Sequence, residues 1–527
     1  MQLSDLVPNT NSIGFTAGEA IAANDLVVIE RHTKKGWKAV DTTFAAAGTM
    51  DDGIAQTSAA TGRIVAQTSV VAAQTLAFAR QAVVKDNDGN IFTLTSGASG
   101  QGAMLCKFAP DGKLLYLLNV DTTAVATYNH QLLLLSNGNV ALIWVAGTTL
   151  KYHVRNPASS QTGKSTTTID TVQSVYFAAI SLSGGGVGIL YQPSSAPLTS
   201  KFLTYDNSGT AVLAATTVLT RTGTSGDQYH KMLQLANGNI AAAIASNNTI
   251  SSIGLHAGVF NISGAIVTAF TIINAVSVAQ YPEIATTPSN GNFAISYLDG
   301  TNQSVYVFNS AMAQQGSTIT YATTVTGSGR YKLLTDGATD FVAITTIGTI
   351  APLQKITQNG VKRLEQGHDL TTSLQNFFFD AFCERGLIFC AGMSGAAAAS
   401  PIFWTIDADT GALLVGRSAT SFGTGPATTN GSYTRVIPGG DFTFIALYDY
   451  ANAAATNLCI GKYSNASIIG PAQTNVSAGA QGAAYSEKGS YSINKVGGLP
   501  GKAFDHSANL IAGNTGFIST YGLKIKD

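Results

Sequence analysis

The residues of this chain that could do chemistry are few and scattered. Glycoside cleavage needs two carboxylates set across a sugar site. Only 29 of 527 residues are acidic. Several of these, Asp88, Asp111, Asp206, Asp336 and Asp407, stand in turn-like stretches, where a carboxylate accepts hydrogen bonds from its own backbone. Glu283, Asp299 and Asp340 fall near strand ends and are the first carboxylates to test for hydrolysis. The seven histidines, His32, His130, His153, His230, His256, His368 and His506, occur singly. A lone histidine is more often a satisfied structural residue than a ligand. There is no G-x-S-x-G elbow, H-E-x-x-H pair or phosphate loop; Gly163-Lys164-Ser165 lacks the upstream glycine that a phosphate cradle requires. Cys106, Cys383, Cys390 and Cys459 have no metal-ligand spacing. Cys383 and Cys390 flank the turn Glu384-Arg385-Gly386 and read as reduced core residues. Together these features predict a chain without enzymatic activity, cofactor or metal.

One set of side chains does recur with a period. Tyr128, Tyr176, Tyr229 and Tyr281 each precede a turn glycine by nine or ten residues, and His130 and His230 lie beside two of them. Tyrosine combines an apolar ring with a polar tip and suits sugar faces or a partner surface. These six residues are the candidate ligand-binding rim. The competing reading is that each tyrosine caps the core of its own repeat.

The elements that must position them follow from the turns. Leu132 to Val145, LLLLSNGNVALIWV, reads as strand, tight Asn-Gly turn, strand. The turn glycine returns at Gly138, Gly185, Gly238, Gly291, Gly337, Gly386 and Gly439, in steps of 46 to 53 residues. A second turn, such as Asp206-Asn207-Ser208-Gly209 or Asn261-Ile262-Ser263-Gly264, follows by 23 to 26 residues. Two hairpins in each period give four strands, which is the blade of a β-propeller. The fold predicted is all-β: a β-propeller of seven four-stranded blades over residues 79–472. An earlier copy at Asp88-Gly89-Asn90 and Asp111-Gly112 allows eight. A β-sandwich or β-solenoid is the alternative.

Composition narrows the partners. Charged residues make up 11% of the chain, against about 25% in an average domain. Basic and acidic residues balance at 29 each, which argues against bulk attraction to nucleic acid or an anionic membrane. No apolar run reaches the length of a membrane span. The start MQLSDLVPNTNS lacks the basic and apolar regions of a secretory signal, which predicts folding in a cytoplasm.

Residues 1–12 read as an arm and 13–78 as a small β module, with strands at Leu26 to Glu30, Gly36 to Val40, Ile54 to Gln56 and Arg63 to Gln67. Residues 473–527 read as a linker and a β-hairpin that follows the turn Leu499-Pro500-Gly501. The segments FTAGEAIAANDLVVI, GWKAVDTT and DDGIAQTSAATGRIVAQ resemble a small β module of tailed-bacteriophage virion proteins, including fibres and capsid-associated proteins. The Leu-Pro-Gly turn before a short hairpin is similar to the second half of that module. The resemblance implies that 13–78 and 488–527 pair as one attachment domain with the propeller inserted between them. It implies a virion structural protein assembled in the host bacterial cytoplasm, first a tail fibre or spike-like adsorption protein, second a head fibre or capsid decoration protein. A polysaccharide-degrading virion enzyme is the alternative of another class. The expected partners are other virion proteins, a host-surface glycan and further copies of the chain in a homo-oligomer.

Overall fold

The computed structural model describes residues 12–23, 25–30, 35–39, 46–47, 63–70, most of 82–485, 489–492, 515–519 and 522–525. Regular structure in these residues is β-strand, and its punctuation is local. At SNGN, Leu135 N–H donates to Asn139 O at 2.8 Å and Gly138 N–H donates to Leu135 O at 2.9 Å. Gly138 takes φ +81°, where any side chain is strained. The second turns close on a side chain. Asp206 Oδ1 accepts from Ser208 N and Thr210 N, both at 2.8 Å, and Asn261 Oδ1 accepts from Ser263 N and Ala265 N at 3.0 Å. Asp336 and Asp407 accept backbone N–H groups in the same way. In the earliest copy the acceptor is Asp86 rather than Asp88. Asp111 lies outside the described residues.

These turns set up eight four-stranded antiparallel sheets among the described residues. They cover 82–119, 125–171, 178–220, 228–274, 280–322, 331–369, 380–419, and 434–464 with 63–70. The copy around Gly89 is therefore a sheet of its own, one more than the seven counted from the strongest turns. In each of the first seven the four strands follow in chain order. The eighth takes its outer strand from far upstream: Arg63–Val70 pairs antiparallel with Ala455–Ser464, Gln67 opposite Gly461.

Second strands such as Val140–Ala146 are buried along their whole length, because both faces of a sheet meet a neighbour. Ala141, Ile143 and Val145 pack on Val187, Ile189 and Tyr191 of the third sheet, while Leu142 and Trp144 pack on Phe92 and Leu94 of the first. Similar clusters join the third sheet to the fourth, fourth to fifth, fifth to sixth and sixth to seventh. Phe389 meets Phe444 between the seventh and eighth at 5.4 Å. Ile445 of the eighth then packs on Ile91, Cys106 and Phe108 of the first, so the contacts run round and return to the start.

Outer strands, or the residues just after them, are latched to the next sheet by polar pairs. Asp121 accepts from Trp144 Nε1 at 3.0 Å and Lys151 Nζ at 2.7 Å, Asp170 accepts from Tyr191 OH at 2.9 Å, and Asn274 reaches Tyr297 OH and Tyr306 OH.

The module at the N-terminal side is a six-stranded sheet in the order 481–485, 12–17, 35–38, 26–30, 466–471, 46–47. Val28 faces Ile468, and Ile13 faces Ala484. Its core is Phe15, Ala17, Ile21, Val27, Ile29 and Val476. Residues 466–485 therefore complete it, where 488–527 had been expected. The strand Ala466–Pro471 starts two residues after Ser464 of the eighth sheet and is delivered directly into the module, between 26–30 and 46–47. Residues 489–492, 515–519 and 522–525 form a separate three-stranded sheet, with Leu523 opposite Ile518. Arg63–Val70, expected in the module, belongs to the eighth sheet. Ile54 to Gln56 lie outside the described residues.

Two glycines test the turn packing. A Cβ at Gly186 (φ +91°) would stand 2.1 Å from Tyr205 O, whereas one at Gly138 (φ +81°) meets nothing within 4 Å. Gly138→Ala should cost about 1 kcal/mol, the backbone penalty alone. Gly186→Ala should cost about 3 kcal/mol or more, because a backbone carbonyl must also move. Denaturant titration of both variants checks this; equal costs would contradict the packing described.

Candidate functional site

The ring of sheets has two unlike ends. First and second turns lie at one end and are short, with 156–166 and 309–318 the two long ones. The connections from each sheet to the next, 120–124, 172–177, 221–227, 275–279, 323–330, 370–379 and 420–433, join strand ends at the other end and are longest between the last three sheets. The module sits at the short-turn end. Arg385 in the first turn of the seventh sheet donates from Nη2 to Lys38 O at 3.0 Å. Its guanidinium lies 5.7 Å from the Trp37 ring and 5.4 Å from the Phe442 ring, and the two rings are 5.8 Å apart. Arg385 and Phe442 take φ +50° and +60°, which non-glycine residues seldom adopt. The opposite end is the one at which each sheet is joined to the next, and surface connections are where a rigid scaffold carries recognition.

Of the six residues read from the sequence, Tyr176 precedes the first strand of the third sheet, Tyr229 and His230 stand near the start of that of the fourth, and His130 lies midway along that of the second. Tyr176 is half-buried and lies 4.2 Å from Tyr229, which is buried. His230 is buried beside them, with Nδ1–H donating to Tyr176 O at 2.9 Å and Nε2 accepting from Ser200 Oγ at 3.1 Å. These three form the seam between the third and fourth sheets, and Tyr176 is the one with surface to offer. His130 is buried in the second sheet opposite Trp144, and neither ring nitrogen has a hydrogen-bond partner among the described residues. Burial alone pushes its pKa down to about 4. Tyr128 and Tyr281 stand in the first strands of the second and fifth sheets, but their side chains lie outside the described residues. The structure thus unites Tyr176, Tyr229 and His230 and sets His130 apart.

A second constellation was missed by sequence reasoning. Lys231, Glu283, Lys332, Asp380 and Arg435 occupy the first strands of five consecutive sheets, fourth to eighth, with alternating charge. Lys231 Nζ is 3.2 Å from Glu283, Lys332 Nζ is 2.8 Å from Asp380, and Arg435 is 3.7 Å from Asp380. Asp380 also accepts from Val436 N at 3.1 Å. Burial lowers the pKa of Lys231, and the charges of Lys332 and Arg435 depress it further against the pull of Glu283. Burial alone would raise Glu283 and Asp380, but their cationic neighbours outweigh it and hold both below the usual carboxylate range. Lys231 nevertheless keeps 41% of its side-chain exposure. These groups are enclosed by protein and still reached by water. The spacing hid them: Lys231 precedes its turn glycine, Gly238, by seven residues, whereas Lys332 precedes Gly337 by five.

Glu283 is thus held in the array. Asp340 is used elsewhere, bound to Arg363 at 2.9 Å beside Lys355, which is itself 3.1 Å from Asp336 and 2.7 Å from Asp409. Asp299 lies outside the described residues. Glu283 stands in a first strand and Asp340 at a turn of the next sheet, so the two are not brought together as a catalytic pair. Cys106, Cys383 and Cys390 are free thiols. Among the described residues no cluster of three or more His, Cys, Asp or Glu could hold a metal ion, and no helix is long and apolar enough to cross a membrane.

No protein-family model and no curated protein sequence matches this chain. Solved structures of similar fold include an ulvan lyase of a new polysaccharide lyase family. It is 9% identical, with 66% of this chain and 98% of that one covered and a TM-score of 0.40. The Dos1 propeller is 10% identical, with 77% and 95% covered and a TM-score of 0.48. The polysaccharide lyase Uly1 is 11% identical, with 74% and 100% covered and a TM-score of 0.37. At this identity the likeness is one of fold. It corrects the expectation of a chain without enzymatic activity. Polysaccharide lyases stand among the similar folds, and one fold hosts unrelated functions, so a missing motif is no ground for excluding catalysis.

Two outcomes follow from the buried charges. His130 has a folded pKa below its unfolded value of about 6.5, so its contribution to stability is whole above pH 6.5 and drains away as pH falls toward 4. His130→Leu should flatten the acid limb of the stability curve between those values, by an amount on the order of 3 kcal/mol; an unchanged limb would show that His130 is not buried neutral. Asp380→Asn should lower stability by about 3 kcal/mol, because it takes their shared carboxylate from Lys332 and Arg435. Urea titration at neutral pH measures that loss.

Proposed function

We propose that the chain is an attachment protein of a tailed-bacteriophage particle, in which the six-stranded module fixes the protein to the virion and the ring of sheets is an eight-bladed β-propeller that meets the host surface. One observation carries this reading. The two halves of the module, 12–38 and 466–485, flank the ring in sequence, pair in one sheet, and dock on its short-turn end through Trp37, Arg385 and Phe442. An insertion held in this way presents its opposite end outward, and that end carries the long connections and the half-buried Tyr176. The resemblance of FTAGEAIAANDLVVI and its partner segments to phage virion modules supports the particle as the anchor. A host-surface glycan is the ligand class that suits a tyrosine-bearing rim.

The first test is electron microscopy of intact particles labelled with gold-conjugated antibody against the ring. Label at fibres or tail tip is the expected result. Label spread over the head would assign the protein to decoration instead, and no label on any particle would sink the virion reading. The second test incubates the full chain with host-surface polysaccharide and measures both retention and chain length. Retention is expected; shortening of the polymer would add cleavage to recognition.

A further inference from the structure

The seam between the third and fourth sheets changes character toward the end at which the sheets are joined. Much of it is apolar, with Leu190, Phe202 and Leu219 packed against Ile244 and Phe260. Toward the joined end polar groups enter it. Ser200 stands opposite Leu219 and reaches across to His230. Arg221 follows two residues after Leu219, and its N–H continues the strand pairing to Leu198 O at 2.9 Å. Residues two apart on a strand share a face, so Arg221 points at the fourth sheet. His256 stands opposite Ile244 and so points at the third.

Arg221 and His256 are each 6% exposed, enclosed by protein but not sealed from water. Arg221 Nε and His256 Nδ1 have no hydrogen-bond partner among the described residues. Burial lowers the pKa of Arg221, and no carboxylate among those residues opposes it. His256 is pushed down to about 4, first by burial and then by the charge of Arg221, so the two side chains act on each other across the seam. Ser200 and His230, by contrast, hold each other at 3.1 Å, and His230 Nδ1 is occupied by the Tyr176 carbonyl. A guanidinium keeps its charge at any ordinary pH, and an enclosed charge without hydrogen bonds is costly. The fold places such a group here and gives its Nε nothing to hold.

We infer that the space between Arg221 and His256, in the seam of the third and fourth sheets, is a binding site for one tetrahedral oxyanion, a sulfate or phosphate group. Arg221 offers Nε and a terminal nitrogen as a planar fork to two of the oxygens. His256, in the tautomer with hydrogen on Nδ1, donates to a third. A carboxylate has two oxygens, both taken by the fork, so the third donor favours the tetrahedral anion. The site does not depend on the attachment role proposed above.

The experiment is calorimetric titration of the full chain with sodium sulfate and sodium phosphate at neutral pH and constant ionic strength, with sodium acetate and sodium chloride as controls. Sulfate or phosphate should bind and raise the melting temperature. Chloride should do neither, and acetate should bind at least tenfold more weakly. Arg221→Met removes the charge and should abolish binding, yet the ion-free variant should melt no earlier than the unaltered chain, because no partner is left behind. Arg221→Lys keeps the charge without the fork and should lose affinity at least tenfold. No binding of either anion, an Arg221→Met variant that binds as before, or one that melts earlier without the ion overturns the site. Acetate binding as tight as sulfate overturns its tetrahedral character. Retention on dextran sulfate, with dextran as control, identifies the source: retention lost in Arg221→Met assigns the group to a polymer, and equal retention of both proteins assigns it to the free ion.

Discussion

Each of the eight four-stranded sheets among the described residues packs apolar side chains on both faces, and a sheet with two apolar faces cannot stand at the end of a row. Val140–Ala146 shows the constraint most plainly, since alternate side chains pack on the first and third sheets. The chain has few charges with which to coat an exposed face, only 11% of its residues. Such a stack is completed by returning to its own beginning, as Ile445 does when it packs on Ile91, Cys106 and Phe108. Closure is thus a requirement of the amino-acid composition as much as of the topology.

Polar groups have a narrow task in this setting, which is to fix the angle between one sheet and the next. Each seam has such a tie: Lys107 to Pro157 O, Ala179 N to Gln131, His230 to Tyr176 O, Lys231 to Glu283, Tyr331 OH to Ser296 O, Lys355 to Asp409, Val436 N to Asp380, and Lys85 to Gly439 O. No two seams use the same pair. A repeat built from identical apolar faces leaves the neighbour unspecified, and distinct polar ties give each seam an identity. Buried polar pairs of this kind add little net stability but penalise the wrong register.

What was legible in the sequence was whatever is encoded locally. The turns SNGN, ANGN and DNSG announce themselves because glycine at positive φ and an Asx acceptor are needed within four residues. The tyrosines were legible as a periodic set, but not the consequence that Tyr229 is consumed by packing on Tyr176. Two features were not legible. The outer strand Arg63–Val70 looks like any other short strand, and nothing in its residues names a partner almost 400 positions away. The charge array was invisible because its members belong to five different copies, each with a turn of its own length, so alignment on the glycine scatters them. Sequence periodicity reports what repeats, and here the chemistry lies in what does not.

The strand Arg63–Val70 carries a consequence for how the protein is made. It leaves the ribosome almost 400 residues before its partner Ala455–Ser464. Strands 12–17 and 26–30 wait equally long for 481–485 and 466–471. Throughout synthesis the growing row of sheets has an uncovered apolar face at each end, and contacts this distant in sequence form slowly. The early strands therefore act as a check on completeness. A chain truncated anywhere before residue 455 can neither close its ring nor assemble its module, and it would present those uncovered faces to the proteases and chaperones that recognise them.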